Sequence, residues 1–204
     1  MPFDVDSLVD FCIAEIRRFA AEHQDEVFYA FAVDASLLCL NSEEEFTKML
    51  RRSQDDWERK ARPVDRWEDL TESDLWELEW LLSLNQKMFG LDRSDNNACL
   101  AVINESRGVL REKGKPYCKA EEIEYLRANT GDWAYQGFAE MTDADGFDEE
   151  EYSEHYDMMD FEKQKTSEYG KAMDEVVKRL LEVGAFQCLK TTPDFYATRV
   201  EHDY

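Results

Sequence analysis

The chain has 204 residues, of which 43% are hydrophobic and only eight are Gly and four are Pro. Such a composition can build a sizeable core and excludes a chain that is disordered throughout. The formal net charge of −23 argues against nucleic acid and anionic membranes as partners, because both are bound through clustered Lys and Arg.

The N-terminal part of the sequence predicts a helix, a β-hairpin and the start of a second helix. Over residues 6–23 apolar side chains recur every three or four positions, which is typical of one helix face. The runs VFYAFAV (27–33) and SLLCLN (36–41) are short and apolar with a tight break between them, so they predict two paired strands. The sequence SEEE at 42–45 is a capping box, which predicts the helix start.

A helical segment is predicted from about residue 42 to about residue 115. Its first helix stops before Pro63, and a cap at 71–74 starts a second helix that ends at Gly90. A third helix covers about 94–113. We expect this segment to be inserted between two hairpins of one sheet.

Two tryptophans stand one helical turn apart in this segment. Trp76 and Trp80 belong to a helix that already offers several leucines, so it has more apolar surface than one buried stripe requires. This excess predicts a buried helix or a contact within a homo-oligomer.

The C-terminal part predicts a second hairpin, a last helix and one or two last strands. EIEYLRAN (122–129) and WAYQGFAE (133–140) alternate with a period of two, which would place Trp133 and Tyr135 on one face. Residues 166–184 have the helical period, and β-type sequence follows them. The expected fold is α+β, a single domain over 1–204 with an antiparallel sheet of about five strands packed against helices.

Three segments resemble a mostly bacterial family, the domain-of-unknown-function family 4303. They are EVFYAFAVDASLLCLNSEEEF, YLRANTGDWAYQGF and the late helix with its terminal strand. The motif residues are Phe28, Tyr29, Phe31, Asp132, Trp133 and Tyr135. The resemblance implies no activity, cofactor or catalytic residue. In size and acidity the chain is also similar to small bacterial immunity proteins. No binding or catalytic residue supports this analogy.

One acidic stretch accounts for about half of the charge imbalance. Residues 128–162 hold 12 acids and no Lys or Arg. Carboxylates alternate there with apolar side chains, a mixture that suits contact with a basic protein. The predicted partner-binding residues are Asp148, Glu149, Glu150, Glu151, Glu154, Tyr152 and Tyr156. Met158, Met159 and Phe161 are the further apolar residues of the stretch. The alternative is a solvated acidic surface that only keeps the protein soluble.

A metal site in the same stretch is the second interpretation. A helix would present Glu151 and His155 together, with Asp157 nearby, to a divalent ion that activates water in a hydrolase-type enzyme. Completing the ligand set requires His23 or His202 to fold close by. An EF-hand is excluded, because with Gly146 at the sixth loop position no acid occupies the first or the twelfth.

The remaining signals favour a protein without catalytic machinery. The chain has no G-x-S-x-G elbow and no Gly-rich phosphate loop. Five cysteines without a CxxC pair argue against a disulfide framework and a zinc cluster. No apolar run is long enough to span a bilayer and the N-terminus is acidic, so we expect a soluble cytoplasmic protein. A non-enzymatic binding protein without a cofactor is therefore the first hypothesis.

Overall fold

The computed structural model describes residues 2–89, 95–158 and 161–200, with 82–89 and 161 described by backbone alone. The predicted helix end at Gly90 and the residues Met159 and His202 lie outside the described residues. The helices of the described part are α1 (Val5–Glu22), α2 (Glu43–Ala61), α3 (Glu72–Phe89), α4 (Asn96–Lys113), α5 (Ala120–Ala128), α6 (Glu149–Tyr156), α7 (Phe161–Thr166) and α8 (Glu168–Glu182). The strands are β1 (Val27–Asp34), β2 (Leu37–Ser42), β3 (Tyr135–Glu140) and β4 (Lys190–Val200). The predicted α+β class is confirmed.

The four strands form one mixed sheet in the order β3-β2-β1-β4. The β1–β2 hairpin and the β2–β3 pair are antiparallel, whereas β4 runs parallel to β1. The prediction of about five strands, all antiparallel, is wrong in both details. Each strand of the parallel pair follows a helix, since α1 precedes β1 and α8 precedes β4, and these two helices pack beside each other.

The main core lies between the sheet and the helices α1 and α8. Fully buried side chains from all three layers meet there, namely Leu8, Cys12, Ile16, Phe28, Phe31, Leu38, Leu40, Met173, Val176 and Leu180. Removing this much apolar surface from water is the main stabilisation of such a layer. The helical period predicted for α1 and α8 is confirmed, and so is the hairpin of two paired strands predicted from the runs at 27–33 and 36–41.

The predicted second hairpin is wrong in its first strand, because residues 120–128 form the helix α5. Leu126 is buried, while Tyr125 is 73% exposed, so the alternation of Ile123 and Tyr125 is not a strand face. Ala, Glu, Leu and Arg are strong helix formers, and that local preference prevails here over the short period-two pattern.

Trp133 and Tyr135 do not share one packing face. Trp133 precedes β3 and packs on Tyr29, with ring centroids 6.1 Å apart. Tyr135 packs instead against Phe19 and Phe28, at 4.9 and 6.1 Å. The strand begins only at Tyr135, so the two-residue spacing that would align the side chains does not apply.

The chain divides into two compact units. One comprises the chain up to Met49 and from Glu124 onward, and the other is the inserted unit Leu50–Ile123. In the inserted unit α3 packs on α4 through Leu78, Cys99 and Ile103. Among the described residues no helix is both long and apolar enough to cross a membrane.

Candidate functional site

Within the acidic stretch, the turn that precedes α6 is tied to Asp4 near the N-terminus of the chain. The carbonyl of Gly146 accepts a hydrogen bond from the backbone N–H of Asp4 at 2.9 Å. Gly146 has a φ of +86°, and a Cβ at this position would lie 2.6 Å from the Cβ of Asp4. Only glycine fits both the backbone conformation and this approach.

Helix α6 starts at a capping aspartate. The carboxylate of Asp148 accepts hydrogen bonds from the backbone N–H groups of Glu150 and Glu151 at 3.1 and 3.0 Å. Three glutamates fill the first turn, Glu149, Glu150 and Glu151, where negative charge interacts favourably with the helix dipole. The local sequence therefore explains why this acid-rich segment is a helix rather than a loop.

The inner face of α6 is aromatic and belongs to the core. Tyr152 packs against Phe147 and Tyr169, with ring centroids 5.4 and 5.1 Å apart. His155 is 3% exposed and its ring lies 4.5 Å from that of Tyr169. Half of the helix is thus committed to packing and is not available to a partner.

His155 links α6 to the start of α8 through a defined hydrogen-bond network. The hydroxyl of Ser167 donates to the carbonyl of Gln164 at 2.9 Å and accepts from the N–H of Gly170 at 2.9 Å. Its 2.8 Å contact with His155 Nδ1 must then be donated by the imidazole, because a hydroxyl has one proton. Burial and the nearby guanidinium of Arg199 lower the pKa of His155, which favours this neutral ring.

The buried neutral imidazole predicts a loss of stability in mild acid. Since the folded pKa of His155 lies below the unfolded value of 6.5, the unfolded chain takes up the proton first as the pH falls. The contribution of the neutral His155 to the free energy of unfolding is complete above about pH 6.5. Below that pH it declines, by at most about 1.4 kcal/mol per pH unit for one proton. Urea unfolding at a series of pH values should show a smaller decline for His155→Gln than for the wild type.

A control for that experiment is Tyr125→Ala, which removes an exposed aromatic side chain and leaves all imidazoles in place. We expect this variant to keep the wild-type decline below pH 6.5. Equal pH dependence of the free energy of unfolding in the wild type and in His155→Gln would contradict the assignment.

The outer side of α6 and the residues that flank this helix carry exposed carboxylates, which we call the acidic face. Its members are the exposed residues Asp145, Glu149, Glu150, Glu154 and Asp157. In the part of the chain that the structure describes, none of these carboxylates forms an ion pair with Lys, Arg or His. Acids on the neighbouring helix α8 differ, because Glu168 pairs with Lys171 and Glu175 pairs with Lys178.

The electrostatic consequence is visible at the half-buried Glu151. Partial burial raises the pKa of its carboxyl. The negative charge of Glu154 raises this pKa further, and Asp148 and Glu168 have smaller effects in the same direction. Like charges that lie close together disfavour the ionised form. The acidic face therefore carries negative charge that no cation of the described chain neutralises.

The predicted partner-binding residues separate into two groups. Glu149, Glu150 and Glu154 are exposed on the acidic face, and Tyr156 is 44% exposed beside them. Asp148 caps the helix, Glu151 is half-buried and Tyr152 packs into the core. Met159 and the side chain of Phe161 lie outside the described residues.

The predicted metal ligands do not converge. His155 points inward to Ser167, whereas Asp157 is exposed at the end of α6. Among the residues that the structure describes, no three His, Cys, Asp or Glu side chains come close enough to hold an ion. His23 is engaged elsewhere, with Glu26.

A second polar cluster, centred on Glu26, was not predicted. Its carboxylate accepts hydrogen bonds from the hydroxyls of Ser42 and Tyr135, each at 2.5 Å, and from His23 Nδ1 at 2.9 Å. Although partial burial opposes ionisation, the three hydrogen bonds keep the pKa of Glu26 below its usual value. Tyr135 lies 109 residues from Glu26, so no local sequence signal could indicate the cluster.

The Glu26 cluster has hydrogen bonds suited to structure rather than to nucleophilic catalysis. The Ser42 hydroxyl donates to Glu26 and accepts from the backbone N–H of Glu45 at 3.2 Å, so it caps α2. A nucleophilic serine needs its proton directed at a base of suitable pKa, usually histidine. The cluster joins the end of α1 to three strands of the sheet.

The residues that carry the family resemblance contribute to packing and hydrogen bonding within the fold. The guanidinium of Arg127 lies 3.8 Å above the Tyr29 ring, and its backbone carbonyl accepts from Tyr29 and from Trp133 Nε1. Phe28 and Phe31 are core residues, and Asp132 is exposed and accepts a hydrogen bond from Asn129. This arrangement stabilises the fold.

Comparisons with protein-family models, curated proteins and solved structures found no match for this chain. The resemblance to the domain-of-unknown-function family 4303 therefore stays a prediction.

Proposed function

We propose that this chain is a non-enzymatic binding protein that engages a basic protein through the acidic face of α6. The observation that supports this most strongly is that the exposed carboxylates of α6 have no cationic partner in the described structure. Unneutralised charge of one sign attracts an oppositely charged surface and accelerates its association.

The raised pKa of Glu151 supports the same proposal. A Lys or Arg brought to α6 would relieve the repulsion from Glu154 and Asp148 that raises this pKa. The relief is gained only in the complex, so it favours binding. Binding would also release a proton when Glu151 is partly protonated, because the cation stabilises the ionised form.

Tyr156 would supply the apolar part of the interface. Its ring is 44% exposed and lies 5.5 Å from that of Tyr152, whose position is fixed by the core. Interfaces are enriched in tyrosine, which offers a large contact area at a small cost in conformational entropy. A helix that carries both charge and an exposed aromatic side chain suits a protein partner better than a small ion.

The proposed role is that of an immunity-like or regulatory protein in the cytoplasm. Such a role requires binding alone, which agrees with Ser42 being committed to the α2 cap and with His155 being held inside the core. We do not propose the metal-assisted enzyme as a second function, because the described carboxylates and imidazoles do not form a ligand set.

Charge reversal on the acidic face tests the proposal. Tagged wild-type protein and the variant Glu149→Lys/Glu150→Lys/Glu154→Lys are used to capture proteins from the host lysate at low salt. We expect a basic protein that elutes with a salt step from the wild type and is reduced at least about tenfold on the variant, since close charge pairs at interfaces contribute several kcal/mol in total.

A matched control makes the result specific to α6. The variant Asp10→Lys/Glu22→Lys/Asp25→Lys changes the net charge equally, but its three exposed acids lie on or just after α1. It should retain the partner. If both variants lose the partner equally, only overall charge matters, and if neither loses it, the acidic face is not the binding surface.

A further inference from the structure

The sheet has an open edge at β4. This strand is the outermost in the order β3-β2-β1-β4, so one of its sides pairs with β1 and, among the described residues, no strand pairs with the other. An outermost strand offers a row of backbone N–H and C=O groups to a further strand. Proteins in which no further strand pairs there protect the edge with Lys, Pro or a bulge.

Such protection is present in the first half of β4 and absent from the second. Lys190 and Pro193 lie in the first half, where extra residues of β4 also interrupt the pairing with β1. Residues 196–200 then pair with residues 30–34 without interruption. This second half, which we call the β4 edge, contains no Pro, Lys or acid.

The one charged side chain of the β4 edge is directed at a helix. The side chain of Arg199 is 7% exposed, and its Nε donates to the carboxylate of Asp174 on α8 at 2.9 Å. Tyr196 is 38% exposed, and Ala197, Thr198 and Val200 are half-buried. A strand added beside the β4 edge would therefore meet uncharged side chains and the backbone.

The β4 edge is complementary to itself. Side chains alternate along a strand, so Tyr196, Thr198 and Val200 share one face. If a second β4 edge pairs antiparallel about a two-fold axis at Thr198, Tyr196 of each copy lies opposite Val200 of the other, and the two Thr198 residues face each other. Aromatic–β-branched and Thr–Thr pairs are favourable across antiparallel strands. On the other face, Ala197 lies opposite Arg199, so no like charges meet.

The charges near the β4 edge permit two copies to meet although the chain has a net charge of −23. Residues 185–200 include one acid and two cations. Asp174, which contacts β4 from α8, has Lys171 and Lys178 one turn before and one turn after it on the same side of the helix. A contact between two copies at this edge thus brings few carboxylates together, whereas a contact between two acidic faces would bring many.

We propose that two copies of this chain associate through the β4 edge, with β4 antiparallel to its copy, so that the two four-stranded sheets become one continuous sheet. The same residues of both copies form the contact, as in other two-fold dimers. Because the paired segment is short, we expect a weak dimer with a dissociation constant in the micromolar range. The inference does not rest on the proposed function, since α6 takes no part in this pairing.

Sedimentation equilibrium of the full chain measures the association. We expect a monomer–dimer equilibrium that shifts toward the dimer as salt is raised, because salt screens the repulsion between two acidic copies. Binding of a basic protein to the acidic face should have the opposite salt dependence. The two proposals can therefore fail independently.

The substitution Thr198→Lys is the sharpest test, because it places like charges opposite each other at the two-fold axis. It should weaken the dimer at least about fivefold. The described side-chain hydrogen bond of Thr198 is local, to the carbonyl of Arg199, so we expect a folded variant, which circular dichroism checks. The matched control Thr191→Lys adds the same charge at an exposed threonine in the first half of β4 and should stay within about threefold of the wild type.

A mixing experiment separates loss of the interface from loss of folding. Thr198→Glu alone should also weaken the dimer, for the same reason as Thr198→Lys. An equimolar mixture of the two variants should associate more tightly than either variant alone, because opposite charges then face each other across the axis. A defect in folding could not produce this rescue.

Three results would overturn the proposal. The first is a wild type that stays monomeric up to millimolar concentration, which would leave the edge open or covered by a strand of another protein. The second is a mixture of the Thr198 variants that associates no better than each alone. The third is a dimer that withstands Thr198→Lys and is lost in Trp76→Ala/Trp80→Ala. The contact would then lie on α3, where the sequence predicted a buried helix or an oligomer contact and where these tryptophans are 69% and 63% exposed.

Discussion

Replacing Tyr169 by Ala is expected to lower the free energy of unfolding by about 3–5 kcal/mol, the usual cost of truncating a buried aromatic residue. Tyr169 is 2% exposed and packs against Phe3, Tyr152 and His155. Its hydroxyl donates a hydrogen bond to the carbonyl of Ala35. The substitution would leave a cavity beneath α6 and a carbonyl without its partner. Urea unfolding measures the change.

Two further substitutions divide this effect into its parts. Tyr169→Phe keeps the ring and removes only the hydrogen bond, so its cost should be about 1–2 kcal/mol. Tyr125→Ala removes an exposed tyrosine and should cost less than about 0.5 kcal/mol. If Tyr169→Ala were no more destabilising than Tyr125→Ala, the aromatic support of α6 would be absent in solution.

Replacing Arg107 by Leu is expected to destabilise the inserted unit by about 3–5 kcal/mol, as breaking a buried ion pair does elsewhere. The Asp74 carboxylate is buried and would lose its shortest cationic contact. The guanidinium of Arg107 also donates to the carbonyl of Arg62 at 2.5 Å, a bond that Leu cannot make. Arg59, 3.5 Å from Asp74, would compensate only in part.

Hydrogen exchange at amides of α3 and α4 measures this effect in the inserted unit itself. The exposed pair Arg66–Asp69, with a distance of 2.7 Å, provides the control, and Arg66→Ala should cost about 0–1 kcal/mol. Equal loss of protection in the two variants would mean that the buried pair contributes no more than a surface pair.

Elements with local signals could be predicted from the sequence, and elements that depend on distant residues could not. The caps predicted at Ser42 and Thr71 start α2 and α3, because a side chain reaches its own backbone within a few residues. The parallel pairing of β4 with β1 depends on how α8 packs beside α1. No local pattern contains that information.

The acidic stretch is a second case in which contacts with distant residues could not be predicted from the local sequence. Charge and composition identify 128–162 as a surface, but Tyr152 and His155 face the core. Their i, i+3 spacing is a weak signal of an inner face, and it is hidden among the glutamates of an eight-residue helix. The packed side of α6 is the side that contacts Tyr169 of α8, and no pattern within α6 indicates that contact.

The most direct test of the proposed function is to map binding on the protein itself. Backbone amide signals of the isotope-labelled chain would be followed by NMR while the captured basic protein is added. We expect the largest shifts on residues 145–157, and we expect these shifts to shrink as salt is raised, because screening weakens the attraction. Large shifts confined to other parts of the chain, with α6 unchanged, would contradict it.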